Sequence, residues 1–474
     1  VSDSQTAGQA SEIAAADAGT LGLWDALSLV VGIVVGTSIF RSSPQVFQNT
    51  IGPWQALAAW ALGGGLSLVG ALCYAELATT YPRSGGDYEY LTRAFGPWAG
   101  FLFGWAQLTA VFAANVGIMA YAFGDYGVEL LGLESRAAVW LAVAAIMGMT
   151  LLNAWTVHAG AATQNVLTAA KVLGLGAVIL AGAKLAIAPR AADAAAPASP
   201  DAADAAPSFG LAMVFVLYAF GGWNDAALVA AEVRNRRHNL PLALVGGVAA
   251  ITIIYLAMNA AYLTLGFDAA RRTATPAARL LEAAVGPLGA KFVSALVMIS
   301  ALGAINGMIL SRSRIFAVMG EDHRAFSWLG GWHAGHGAPR ASLAAQAAVT
   351  LAMVLVVGTE HGRNAVDAAL RAIHAPGIPW GKFSGGFDTL LAATAPIFWA
   401  LFFATGIAMV VLRQRDPGRE RPFQAPLYPL TPLVFCGTCL FMLYRSAEFA
   451  GWLAAAASAP LAAGLVLYLA TRSR

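Results

Sequence analysis

Apolar residues along this chain neither alternate nor recur on one helical face. They fill near-continuous stretches of about 20 residues or more, the length that crosses a lipid bilayer as a helix. These stretches predict helices over about 24–47, 54–80, 96–130, 137–157 and 162–187. A second set is expected over about 208–232, 240–266, 285–318, 341–358 and 387–413, and two more over about 426–446 and 450–471. Two connections stand apart. Residues 188–207, rich in Ala, Pro and Asp, read as an exposed linker, and 358–387 carries His, Pro, Gly and charges of both signs. The expected organisation is a tail over 1–20, a five-helix unit over 21–187, the extracellular or periplasmic linker over 188–207, a second five-helix unit over 208–413, and two additional helices over 414–474.

Composition agrees with this pattern. Of 474 residues 58% are hydrophobic and 11% charged, less than half the charged share of a soluble protein. A soluble enzyme with one anchor, a disordered chain and a disulfide scaffold are excluded. The net charge of +3 is small and dispersed, so no nucleic-acid partner is expected. Cys73, Cys436 and Cys439 all lie in apolar stretches and read as packing residues. The first 20 residues lack a basic start and an apolar core, and they read as a cytoplasmic tail. Arginines cluster in alternate connections: Arg83 and Arg93, Arg234 to Arg237, Arg324 and Arg340, and Arg413 to Arg421. That bias puts both termini in the cytoplasm of a multi-pass protein of the plasma (bacterial inner) membrane.

Two apolar segments are interrupted. The first contains Gly32-Ile-Val-Val-Gly36-Thr37-Ser38-Ile-Phe40, and the sixth contains Tyr218-Ala-Phe-Gly221-Gly222-Trp223-Asn224-Asp225. Each opens one set of five helices, the pattern of an inverted-repeat transporter with its site at the membrane midplane. Unwound backbone at that depth is tolerated where it lines a cavity. Close packing of small residues is the competing reading for Gly32 and Gly36, and the second break, followed by Asn and Asp, weighs against it.

The residues resemble those of amino acid–polyamine–organocation permeases. The resemblance is carried by Val35-Gly-Thr-Ser-Ile-Phe40, by Ala71-Leu-Cys-Tyr-Ala-Glu76, and by Tyr81-Pro-Arg-Ser-Gly85-Gly86-Asp-Tyr88-Glu-Tyr90. Phe220-Gly-Gly-Trp-Asn224, Asn239-Leu-Pro241, Leu302-Gly-Ala-Ile-Asn306-Gly307 with Ser313-Arg314, and Arg421-Pro-Phe-Gln-Ala-Pro-Leu-Tyr-Pro429 are similar to the L-type amino acid transporter branch. The resemblance implies an all-α LeuT-like 5+5 inverted repeat of about 12 transmembrane helices, with helices 1 and 6 discontinuous. It also implies sodium-independent amino acid transport by alternating access. The chain departs from the pattern at Ser38, where a second glycine is usual, at Asp225, usually aromatic or apolar, and at Ala231-Glu232, usually Glu-Glu.

A zwitterionic substrate needs its carboxylate and ammonium held without an excess of charge. A helix N-terminus offers free N–H groups and a positive dipole end to the carboxylate, and freed carbonyls accept from the ammonium. The resemblance assigns the donors to Thr37, Ser38 and Ile39 and the acceptors to carbonyls near Val34, Tyr218 and Gly221. Gly36, Phe220, Gly222, Trp223 and Asn224 complete the expected substrate site, with Tyr218 as an aromatic gate and Asn224 as a polar wall. Asp225 either recognises a polar or basic side chain or pairs with a polar neighbour. Glu76 and Glu232 are expected to pair with loop arginines, and Arg41 to snorkel to the interface.

Lys171 is the lone charge of the fifth segment before Lys184. An ammonium in an apolar helix requires oxygen acceptors and is a functional candidate. It aligns with a lysine that sodium-independent members carry where sodium-coupled relatives bind an ion. A proton given up reversibly there would couple transport to the proton gradient; a permanent charge leaves exchange or facilitation. The substrate class expected is neutral L-amino acids, with cationic or polar amino acids or polyamines as the alternative. A non-transporting sensor and a membrane-embedded enzyme are the readings from other classes. Seven histidines supply no catalytic pair, and His333-x-x-His336 lacks the carboxylate support of a metal site. No metal, cofactor or accessory subunit is indicated.

Overall fold

The computed structural model describes residues 21–155, 157–187, 207–273, 275–331, 339–383 and 385–472. The tail over 1–20, all but the end of the 188–207 linker, and His333 and His336 lie outside the described residues. Within them ten helices are long and apolar enough to cross a membrane, and a bent pair makes an eleventh span. That pair is α1 (Leu23–Val34) and α2 (Ser38–Gln48), which meet at 47°. There follow α3 (Pro53–Thr80), a short α4 (Asp87–Phe95), then α5 (Pro97–Ala106) and α6 (Phe112–Leu131) joined by a π turn at Gln107–Val111. Helices α7 (Ala137–Trp155) and α8 (Val157–Ile187) end the first set.

The second set opens with another broken segment, α9 (Phe209–Ala219) and α10 (Asp225–Leu228). After it come α11 (Arg236–Leu263), α12 (Phe267–Arg272), α13 (Pro276–Val285), α14 (Leu288–Asp322) and α15 (Arg340–Gly358). The last are α16 (Glu360–Ala372), α17 (Gly386–Arg415), α18 (Leu430–Ala450) and α19 (Trp452–Arg472). Both expected breaks are present, and the spans fall within a few residues of their expected places. The pattern gave no sign of α4, α12, α13 and α16. These are short helices between spans, and a reading keyed to bilayer-length apolar runs passes over them.

The breaks touch one another. Gly222 has φ +105°, and a Cβ there would stand 2.7 Å from Ile33 Cγ2, so only glycine fits against the end of α1. The Tyr255 hydroxyl on α11 hydrogen-bonds the carbonyls of both Val34 (2.9 Å) and Ala219 (3.1 Å), joining the end of α1 to the end of α9. Such partners are what permit unwound backbone at membrane depth. Around them α3 packs on α11, α6 on α14, and α1 on α8, α11 and α14.

Ion pairs gather at the arginine-rich end. Arg83 pairs with Asp322 (2.8 Å) and Glu89 (3.2 Å), and Arg314 holds Glu232 at 2.8 and 3.0 Å. Arg314 belongs to α14, so the partner of Glu232 is a helix residue and not the loop arginine expected. The Asp322 hydrogen bond and charge, with Glu89 behind them, raise the Arg83 pKa against the opposing effect of burial. Glu76, buried on α3, accepts from Arg413 Nε at 2.6 Å and from the Ala425 N–H at 2.7 Å. Breaking a buried ion pair by removing one partner costs about 3–5 kcal/mol, and Arg413 is partly exposed. Glu76→Ala should therefore cost about 3 kcal/mol, read as a lower thermal midpoint in detergent, and Glu76→Gln should cost less.

Candidate functional site

Helix α1 ends at Val34, leaving its last carbonyls without intrahelical partners. Lys171 from α8 supplies one. Its Nζ donates to the carbonyls of Gly32 (2.6 Å) and Val35 (3.0 Å), and to that of Ser300 on α14 (3.2 Å). The side chain has no solvent exposure. Three donors meet three acceptors beside the negative end of the α1 dipole, which offsets the several kcal/mol of burying an ammonium. A Cβ on Gly303 would lie 2.8 Å from Nζ, so α14 leaves the place open with a glycine. The same face of α8 carries Gln164, which accepts from Asn306 Nδ2 (3.0 Å), and Thr168, which donates to the Ser28 carbonyl (3.1 Å).

On the other side of the break a cavity of about 80 Å³ lies between the two interrupted segments. That is several times the space one water needs. Ile33, Val34, Gly36 and Ser38 line it from the first break, and Tyr218, Gly221 and Gly222 from the second. Asn115 and Met119 of α6, Met308 and Arg312 of α14, and Leu391, Thr394, Ala395, Phe398 and Trp399 of α17 complete the wall. Tyr218 and Leu391 also border a vestibule of about 690 Å³ at the end away from the arginine cluster. The Tyr218 ring meets Phe387 edge-on at 6.3 Å, between the two spaces. Arg41 lines this vestibule, pairs with Asp125 at 2.6 Å and lies 4.4 Å over the Phe387 ring. At this end of the span an ion pair receives it.

The structure separates the expected site residues. Among the described residues the N–H groups of Thr37, Ser38 and Ile39 have no hydrogen-bond partner, as the start of α2 requires. The Val34 carbonyl, expected to be free for an ammonium, takes both the Gly36 N–H (2.7 Å) and the Tyr255 hydroxyl (2.9 Å). The Tyr218 carbonyl accepts the Gly221 N–H at 2.9 Å. Thr37 and Ile39 are buried off the cavity wall, and the Thr37 hydroxyl faces Met119 Sδ at 3.5 Å. Phe220 packs against Trp60 and Tyr255, and Trp223 against Tyr74 and Phe402. Asn224 is buried with its Oδ1 unpartnered among the described residues. Asp225 does not line the cavity; Arg312 takes its carboxylate at 3.0 Å through two bonds.

Sequence reasoning missed Arg312, Gln107 and Tyr255. A charge inside an apolar run was the available signal for Arg312, and the neighbouring Ser313-Arg314 motif masked it. Among the described residues no group of three or more His, Cys, Asp or Glu is placed to hold a metal ion.

An all-helical membrane protein with paired broken helices around a cavity has the build of a secondary transporter. The amino acid permease family matches residues 21–467, and the chain belongs to that family. The serine/threonine exchanger SteT of Bacillus subtilis (strain 168) is 28% identical over 434 residues, 89% of this chain and 90% of that protein. The b(0,+)-type amino acid transporter 1 of Mus musculus is 29% identical over 89% of this chain and 81% of its own. The human Asc-type amino acid transporter 1 is 29% identical over 90% and 77%. Among solved structures Mhp1, a nucleobase-cation-symport-1 family transporter in a closed conformation, superposes with a TM-score of 0.53 at 14% identity, covering 93% of this chain and 94% of that one. That likeness is one of fold. The protein is a membrane transporter and not an enzyme.

If the start of α2 binds a substrate carboxylate, bulk at Ser38 blocks the approach. Ser38→Ile should lower amino acid affinity at least about tenfold, the worth of a charge-assisted hydrogen bond or two. Substrate-dependent thermal stabilisation of the purified variant checks this, and wild-type affinity in Ser38→Ile would place the site elsewhere.

Proposed function

We propose that this permease moves neutral L-amino acids across the cytoplasmic membrane without sodium, by exchange or by proton coupling. One observation carries the substrate class. The ionic side chain on the cavity wall, Arg312, is matched by Asp225 behind it, so the wall is close to neutral. A zwitterion adds no net charge to such a site, whereas a cationic or an anionic side chain would arrive uncompensated in a medium of low dielectric. The reading of Asp225 as a receptor for basic substrates loses its ground, because that carboxylate is already occupied. A relative named as a serine/threonine exchanger agrees with a neutral substrate.

In this reading the carboxylate docks at the start of α2, on the free N–H of Ser38 at the cavity wall with those of Thr37 and Ile39 unpartnered beside it, and carbonyls of the second break around Gly221 receive the ammonium. Tyr218 closes the cavity from the vestibule. Lys171 stands where a coupling cation would sit, and a second cation would meet its ammonium at close range. The arginine-rich end faces the cytoplasm, both termini lie on that side, and the vestibule faces out. The membrane is the plasma membrane, the inner one in a bacterium.

Competition by twenty amino acids against labelled alanine or leucine uptake in proteoliposomes tests the substrate class. Neutral amino acids should compete and arginine and lysine should not. Inhibition by arginine and lysine alone would overturn the neutral reading. Binding in detergent with no uptake in vesicles would identify a sensor.

A further inference from the structure

Arg312 enters the cavity wall from the middle of α14 with its side chain 3% exposed, opposite an Asp225 with none. Its Nε and Nη2 donate to the two oxygens of Asp225 at 3.0 Å each, and its Nη1 donates to Gln107 Oε1 at 3.0 Å. Ser311 Oγ donates to the same carboxylate at 3.2 Å. Phe112 lies under the guanidinium at 5.9 Å. A guanidinium has five N–H donors in a rigid fork, and these bonds use three. Two are left without a partner among the described residues. Asp225 and Gln107 hold the group from behind, and Arg312 is the member of this cluster that reaches the cavity.

We propose that Arg312 determines specificity by donating to an oxygen on the substrate side chain, so that the site prefers small hydroxyl- or amide-bearing amino acids to aliphatic ones of the same shape. The proposal rests on the reading that this cavity binds amino acids. An aliphatic side chain would seal the two spare N–H groups from water and give them no acceptor, the arrangement by which a polar pocket rejects an isostere. A carboxylate side chain fits less well, because Asp225 already balances the arginine and the extra charge would be buried unpaired. A hydroxyl or amide oxygen supplies the acceptor without the charge.

Threonine and valine have nearly the same shape and differ in this oxygen. Purified wild-type protein in proteoliposomes should be inhibited by threonine at least about tenfold more strongly than by valine, measured against labelled alanine. In Arg312→Met/Asp225→Asn, which removes both charges together, the threonine-to-valine ratio should fall toward one, whatever the absolute rates. Arg312→Lys keeps the charge opposite Asp225 but loses the fork, and its ratio should fall as well; it serves if the double variant does not reach the membrane. Equal inhibition by threonine and valine in the wild type, or an unchanged ratio in either variant, overturns the role of Arg312 and leaves amino acid transport standing. Absence of uptake for every amino acid overturns both.

Discussion

Lys171 and the end of α1 depend on each other. A helix that stops in mid-membrane leaves carbonyls with no water to receive, and an ammonium in an apolar helix has no water to donate to. Each supplies what the other lacks. The three bonds from Nζ reach Gly32 and Val35 on one side and Ser300 on the other, so one side chain joins α1, α8 and α14 around the break. Without it the carbonyls of the last turn of α1 would have to find other donors, and continuing the helix through residues 35–37 is the cheapest supply. The lysine, together with Tyr255, satisfies the carbonyls that the break frees.

Much else follows from that break. Stopping α1 starts α2, and the start of α2 exposes the N–H groups that a carboxylate needs. The dipoles of the two half-helices then point opposite ends at neighbouring places, the negative end at Lys171 and the positive end at the cavity. Tyr255 extends the arrangement to the second interruption by bonding carbonyls of both. The remaining charge near the cavity is arranged as a pair, Asp225 with Arg312, held in place by Gln107 of the π turn. A site built from backbone dipoles and one matched ion pair can hold a zwitterion in low dielectric without a fixed excess charge.

Spans, breaks and the lysine were legible in the sequence because each leaves a local mark: a bilayer-length apolar run, glycines interrupting it, a single cation inside it. The cavity wall was legible in part. Ser38, Gly36, Gly221 and Gly222 line it, but Phe220, Trp223 and Asn224 were named for adjacency to a break. Successive residues of a turn point in different directions, so adjacency along the chain does not place a side chain in the cavity. Arg312 stayed hidden because its partner is 87 positions away, and no local pattern joins α10 to the middle of α14. Tyr255 looked like any tyrosine in an apolar helix until the fold set it between two carbonyls.

We infer that the Lys171 ammonium does the work a bound cation would otherwise do. Initial uptake of a neutral amino acid into proteoliposomes, with sodium or choline outside, compared between wild type and Lys171→Ala, tests it directly. Equal wild-type rates in the two salts and loss of uptake in the variant are expected. Strict dependence of the wild type on sodium, or full activity in Lys171→Ala, would contradict it.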